Sequence, residues 1–370
     1  MHQFELSCWF RFKNMNVIGL NQQCRSIVAK EGESDRNRWL VGTTSVHSEN
    51  NVYLVDYDED ADEITTMAFE HPGPVCALSS CTASNNWIFT CSNEIATLWN
   101  LNQIPSGQLV ANNVHKLEKI STLTSKKVIS NVIWEPNGNI SKVLAYGKSS
   151  AGVYRLDSTL ECQTNLSIPI ENQIYTAKWN PHNEKLIAFG IGDCIYEWDI
   201  RTNQNTTKIE NAHEINVRSL DYNQNKPFHL VSSGDDCMIR IWDTRNAKTP
   251  LMELSDHTHW IWNVSFNKYH DQLLLSCSSD CQVNLQSVVS VSSAPLHNNT
   301  VFSPSIQSED IDVNHKKAMD GLISSFDQHE DSVYGVAWSP SDPWIFASLS
   351  FDGRIVVNFV PAEEKYNIIL

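Results

Sequence analysis

Basic side chains are in short supply. Against 43 Asp and Glu the 370 residues carry 27 Lys and Arg, a formal net charge of −16, and nowhere do the cations gather into a run. Nucleic acid and anionic bilayers would repel such a surface, so neither is expected as a partner. No stretch approaches the ~18 apolar residues of a membrane span. The N-terminal MHQFELSCWFRFK is interrupted by Glu5 and Arg11 before it reaches the apolar length of a signal peptide, so direct membrane insertion is not expected either. Ten cysteines are present but no CxxC pair, and neither Cys76/Cys81 nor Cys277/Cys281 has a second pair at zinc-site spacing. They read as reduced thiols of a cytosolic chain, in which Asn139-Ile140-Ser141 and Asn263-Val264-Ser265 are chance matches to the glycosylation triplet. Phosphate-loop, GxSxG, HExxH and GxGxxG patterns are also missing. We therefore expect no enzyme, no cofactor and no metal.

What the chain has in abundance is a repeat. SSGDDCMIRIWD (232–243) is preceded by GIGDCIYEWD (190–199) and followed by SCSSDCQVNLQS (276–287), with Trp198 to Trp242 and Asp236 to Asp280 both 44 residues apart. His213, His257 and His329 each open a stretch of alternating apolar residues, as a half-buried strand requires. Each is followed after 23 residues by an aspartate: Asp236, Asp280 and Asp352. Three to four short strands per period of about 40 to 45 residues, His near the start and Trp-Asp near the end, is the WD40 signature. Weaker units phase with it: RWLVGTTSV and NNVYLVDYD (38–58), His71 with Trp99-Asn100, Trp134-Glu135-Pro136 with Leu156-Asp157, and Trp179-Asn180-Pro181 with Trp198-Asp199. The expected fold is all-β, one seven-bladed WD40 propeller over 16–370 with residues 1–15 as an extension. The polar, acidic stretch 292–321 stretches the period between His257 and His329 to 72 residues and reads as a disordered insertion in blade six.

In such blades a loop His, a turn Asp, a strand hydroxyl (Ser232 or Ser233 here) and the Trp indole form a buried hydrogen-bond chain. His213, Asp236, Trp242, His257, Asp280, His329 and Asp352 are therefore read as structural. Gln286 and Asn358 replace Trp in blades six and seven, so those two chains are expected to be incomplete; blade four has Ile170 in place of His. Cys194, Cys237 and Cys281 read as small turn residues rather than a redox pair.

The same register predicts which side chains face the ligand-binding end of the channel: three and five residues after the loop His, and the one before the turn Asp. Those positions hold Asn216, Arg218 and Asp235 in blade five, Trp260, Trp262 and Ser279 in blade six, Ser332, Tyr334 and Phe351 in blade seven; blade four contributes Gln173 and Tyr175. Aromatics with an arginine are the composition of protein-interface hot spots. The protein-binding candidates are thus Trp260, Trp262, Tyr334, Phe351, Arg218, Tyr175 and Asp235.

Longer words go beyond the generic repeat. NAHEINVRSLDYNQNKPFHLVSSGDDCMIRIWDTRN (211–246), HEDSVYGVAWSPSDPWIFASLSFDGRIVVNFVP (329–361), the terminal KYNIIL, and near the start NVIGLNQQCRSIVA (16–29) resemble the WD40 proteins that interact with the EARP (endosome-associated recycling) and GARP (Golgi-associated retrograde) tethering complexes. The resemblance implies a non-enzymatic adaptor with tether subunits as partners. Its implied roles are endosomal recycling, endosome-to-trans-Golgi transport and dense-core vesicle cargo sorting, in the cytoplasm and on endosomes and the trans-Golgi network through partners. The resemblance begins at about residue 16, which makes Met15 an alternative start. A rival reading rests on Trp198-Asp199-Ile200-Arg201 and Trp242-Asp243-Thr244-Arg245, which fit the WDxR pattern of cullin-4 ligase substrate receptors, with Arg201 and Arg245 as the contacts to the ligase adaptor.

Overall fold

Seven antiparallel sheets follow one another along the chain in the computed structural model, which describes residues 16–46, 48–101, 114–123, 127–136, 142–156, 162–166, 173–294 and 319–369. Blade one is Cys24–Ala29, Asn37–Thr43, Asn50–Asp58 and Glu63–His71; blade two is Ala77–Ser80, Trp87–Ser92, Ile95–Asn100 and Glu118–Thr122. Blade three is Asn131–Trp134, Lys142–Gly147, Ser150–Arg155 and Cys162–Leu166; blade four is Ile174–Trp179, Leu186–Ile191, Cys194–Asp199 and Gln204–Ile209. Blade five is Val217–Tyr222, His229–Gly234, Ile239–Asp243 and Met252–Leu254; blade six is Ile261–Phe266, Leu273–Ser278, Val283–Ser287 and Gly321–Phe326. Blade seven takes Val333–Trp338, Ile345–Ser350 and Arg354–Phe359 from the end of the chain and Asn16–Gly19 from its start. First strands of neighbouring blades touch all the way round, blade one meeting blade seven, so the expected seven-bladed propeller is the fold.

Near the two ends of the sequence, VIGL (17–20) and YNIIL (366–370) both have the apolar pattern of an outer strand able to close the ring. The N-terminal strand does so, pairing Val17 with Val356 and Ile18 with Ile355, while Tyr366–Ile369 belong to a helix, Ala362–Ile369, whose Ile368 packs against the cluster that holds Trp344. Closure leaves no unpaired edge on the last blade's third strand. Blade one gains a fifth strand, Val114–Lys116, which lies parallel to Glu63–His71 and is borrowed from the connection within blade two.

Burial follows from each blade being covered on both faces by its neighbours. Second strands are the most buried, along their whole length in LLLSCS and IFASLS and over all but at most the ends in the others. First strands alternate between the blade seam and the channel, as in BiiBiB for Ile174–Trp179. Tryptophans at the ends of first strands staple neighbours together: the indole N–H donates to the backbone carbonyl of Ser79 from Trp134 (3.3 Å) and of Ser265 from Trp338 (3.3 Å), and Trp39 on a second strand donates to Ala337 (3.1 Å). Each buried Trp adds apolar burial of order 1.5–3 kcal/mol as well as a satisfied polar atom. Residues 1–15, Asp157, Ile170 and nearly all of the expected blade-six insertion (295–318) lie outside the described residues.

Candidate protein-docking face

Blade five carries the complete hydrogen-bond chain. Trp242 Nε1 donates to Ser232 Oγ at 2.9 Å, Ser232 lies 2.8 Å from His213 Nε2, and His213 Nδ1 lies 2.8 Å from Asp236. A neutral imidazole uses every donor once: Trp N–H to Ser, Ser O–H to Nε2, Nδ1–H to Asp. Burial favours that neutral form and pushes the His213 pKa down. Burial works against the Asp236 charge as well, but hydrogen bonds from His213, Arg240 and the Glu214 amide hold it well below the usual carboxylate range. Of the two serines left open by the sequence, Ser232 is the participant; the Ser233 hydroxyl is buried and meets no partner among the described residues. Gly234 is required here, because a Cβ would fall 2.6 Å from His213 Nδ1 and 2.8 Å from the Asn216 carbonyl.

The other blades keep parts of the chain. Blade six has His257 with Asp280 and Ser276, both at 2.9 Å, but Gln286 turns away to Asp256. In blade seven Ser350 stands between His329 and Asp352, and Asn358 pairs with Gln328. Blade two, where the sequence marked only His71 and Trp99, assembles both around Thr90 at 2.8 Å. In blade four Trp198 donates to its own blade's Asn203. Cys237 and Cys281 occupy left-handed turn positions (φ 61° and 65°), which is why a small residue recurs after the aspartate; blade four makes a tighter turn with Gly192 at φ 58°.

The register-predicted side chains come together on the face to which these loops belong. Phe351 and Tyr334 lie 5.7 Å apart, Tyr334 and Trp262 4.8 Å, and Trp262 and Trp260 6.2 Å edge-on, a run of rings that crosses the seam between blades seven and six. Arg218 of blade five continues it, its guanidinium 5.0 Å from Trp262 and 4.8 Å from Tyr175 of blade four. Asp235 receives hydrogen bonds from Arg218 Nε and Nη2 and from Asn216, so the sandwiched cation is neutralised and held in place. Ser279 accepts from Trp262 Nε1 at 2.7 Å and fixes that indole. Trp262, Tyr334, Tyr175 and Phe351 are half-buried, whereas Trp260 is 43% exposed.

One member had no signal in the sequence. Arg25, on the first strand of blade one, lies 4.9 Å from the Tyr334 ring and 5.3 Å from Phe351, and extends the arc to a fifth blade. Blade one lacks both the loop His and the 44-residue Trp spacing that phased blade four, so nothing pointed to it. Rings locked by neighbours on one side and open to solvent on the other make a rigid, desolvation-ready surface, the usual material of binding hot spots.

Arg201 and Arg245 sit at the far end of their blades, 70% and 61% exposed. Arg245 makes two hydrogen bonds to Asp243, at 2.9 and 2.7 Å, and covers Phe228; Arg201 is 3.8 Å from Asp199. Among the described residues no group of three or more His, Cys, Asp or Glu is placed to hold a metal, and no helix is long and apolar enough to cross a membrane.

A propeller with this arc matches, over residues 13–286, the family model described as the EIPR1 beta-propeller. The chain belongs to the EIPR1 β-propeller family. Residues 321–357 also match the WD domain, G-beta repeat. Among the relatives, the human "EARP and GARP complex-interacting protein 1" is 34% identical over 381 residues, covering 96% of this chain and 98% of its own. The "EARP-interacting protein homolog" of Gekko japonicus is 34% identical over 380 residues with the same coverage. The "WD repeat-containing protein DWA2" of Arabidopsis thaliana is 33% identical over 351 residues, 92% of this chain and 95% of its own. The family model thus covers the blades whose repeat is faintest, and the relatives' 96% coverage of this chain takes in blade seven as well.

Proposed function

We propose that this EIPR1-family chain is a non-enzymatic adaptor that binds the EARP and GARP tethering complexes through the aromatic arc. The observation that carries the reading is the continuity of the arc: Phe351, Tyr334, Trp262, Arg218 and Tyr175 touch in sequence, Trp260 packs edge-on against Trp262, and Arg25 closes one end. Family relatives named for interaction with EARP and GARP supply the partner class. Through those tethers the adaptor serves endosomal recycling, endosome-to-trans-Golgi transport and dense-core vesicle cargo sorting, and resides peripherally on those membranes. The cullin-4 alternative has no observation of its own, because the Asp-x-Arg spacing is accounted for by Arg245 pairing with Asp243 over Phe228. The test is rescue: cells lacking the protein should regain normal recycling of a surface receptor with wild type and not with Trp262→Ala/Tyr334→Ala at equal abundance. Full rescue by the variant would refute the arc as the working surface.

A further inference from the structure

Glu197 stands where every other blade is apolar. The third-strand residue just before the one that pairs with Ile187 in blade four is Glu197, and the equivalents by strand register are Leu54, Leu98, Val153, Ile241, Leu285 and Val357. All six are at most 3% exposed, and Glu197 itself is only 7% exposed. A carboxylate at a core position is costly unless its charge is met. One oxygen accepts from Tyr222 Oη of blade five at 2.9 Å, and burial together with that charge raises the tyrosine pKa well above its ordinary value. No donor among the described residues reaches the second oxygen.

Glu197 lines a cleft of about 400 Å³ between blades four and five, at the end of the ring opposite the aromatic arc. Phe228 and Leu186 supply apolar wall; Asn180, His182 and Thr207 supply polar groups. The other ion of the lining, Arg245, is already matched by Asp243. The cleft is therefore left with one carboxylate oxygen that no donor among the described residues reaches, within a chain whose overall field attracts cations.

We propose that this cleft binds an ammonium or guanidinium group, that of a lysine or arginine side chain presented by a partner, with Glu197 as its counter-ion. The inter-blade hydrogen bond to Tyr222 explains one oxygen of Glu197; a cation against the Leu186 wall explains the other, Arg245 already covering a face of Phe228. A site of this volume suits one long basic side chain, whose methylenes lie on the apolar wall while its head reaches the floor. The site lies away from the arc and does not depend on what the arc binds.

The test uses the full chain and its Glu197→Gln variant, which keeps an oxygen acceptor for Tyr222 and should melt within the error of wild type. N-acetyl-lysine methylamide and N-acetyl-arginine methylamide are titrated while the backbone amide resonances of Asn183, Thr207 and Thr244 are followed, with spermidine and N-acetyl-glutamate methylamide in parallel. The expected result is saturable shifts with both blocked cations, at least about tenfold weaker binding by Glu197→Gln, and none with the glutamate derivative. Spermidine binding more tightly than either amino acid would keep the ammonium site but replace the partner side chain by a free polyamine, overturning that part. Unchanged cation binding by Glu197→Gln, or no saturable response to any cation, would overturn the site itself.

Discussion

The indole of Trp262 and the ring of Tyr334 lie 4.8 Å apart across the seam between blades six and seven. The contact joins two repeats that were read separately, and it makes neighbouring rings into one surface. Trp262 is further tied to Ser279 and flanked by Arg218, so the pair is ordered before any partner arrives. Preorganised aromatics lose little side-chain freedom on binding, which is where much of the cost of association arises.

The blade-five chain predicts a structural phenotype. Gly234→Ala forces a methyl against His213 and should destabilise the propeller by about 2–3 kcal/mol, as should His213→Ala, which leaves Ser232 and Asp236 buried and short of a partner. Urea denaturation of the two variants checks this. The double variant should cost little more than either single one, since both break the same chain.

Stability should fall on mild acidification. Burial lowers the His329 pKa to about 4 from the 6.5 of an unperturbed imidazole. Between those values the unfolded chain binds the extra proton, so the stabilisation is fully present above pH 6.5 and is lost as pH falls towards 4. This group alone removes about 2 kcal/mol between pH 7 and pH 5, and the buried His71 and His213 act with the same sign. Denaturation at the two pH values should find the wild type weaker at pH 5. His329→Gln, though less stable at pH 7, should lose about 2 kcal/mol less over that interval.

Ring closure by Asn16–Gly19 predicts that the N-terminal strand is indispensable. Ile18→Pro places a proline opposite Ile355 in the ladder and should lower the melting temperature, with proteolysis appearing first in blade seven. The equivalent change at Tyr366 in the terminal helix, which is 64% exposed, should cost less.

Much of this architecture was legible before the structure. The 44-residue spacing located blades five and six, and the positions counted from His213, His257 and His329 found Arg218, Trp262 and Tyr334, whose rings and guanidinium do meet. Blade four, which lacks the loop His, still gave Tyr175 because Trp198 stands 44 residues before Trp242. Blade one has neither the loop His nor a Trp at that spacing, so Arg25 went unseen; blade two's Thr90 went unseen because threonine there has no signature apart from its partners. The parallel fifth strand, Val114–Lys116, depends on the path of a connection rather than on a pattern in its three residues. Glu197 was in plain view as the residue before Trp198, but its oddity emerges only when strand register sets it beside six apolar equivalents.

Arg201→Ala/Arg245→Ala separates the two functional readings. The adaptor account expects unchanged recovery of tether subunits, because both arginines lie at the opposite end of the blades from the arc. Loss of cullin-4 ligase subunits from the same purification would instead support the substrate-receptor reading.

The most direct measurement is affinity purification from cells of wild type beside Trp260→Ala/Trp262→Ala/Tyr334→Ala, with mass spectrometry of the bound proteins and a thermal melt of each purified form. The account predicts that EARP and GARP subunits are lost from the triple variant while it still melts as a folded propeller. Full recovery of those subunits by the folded triple variant would contradict it.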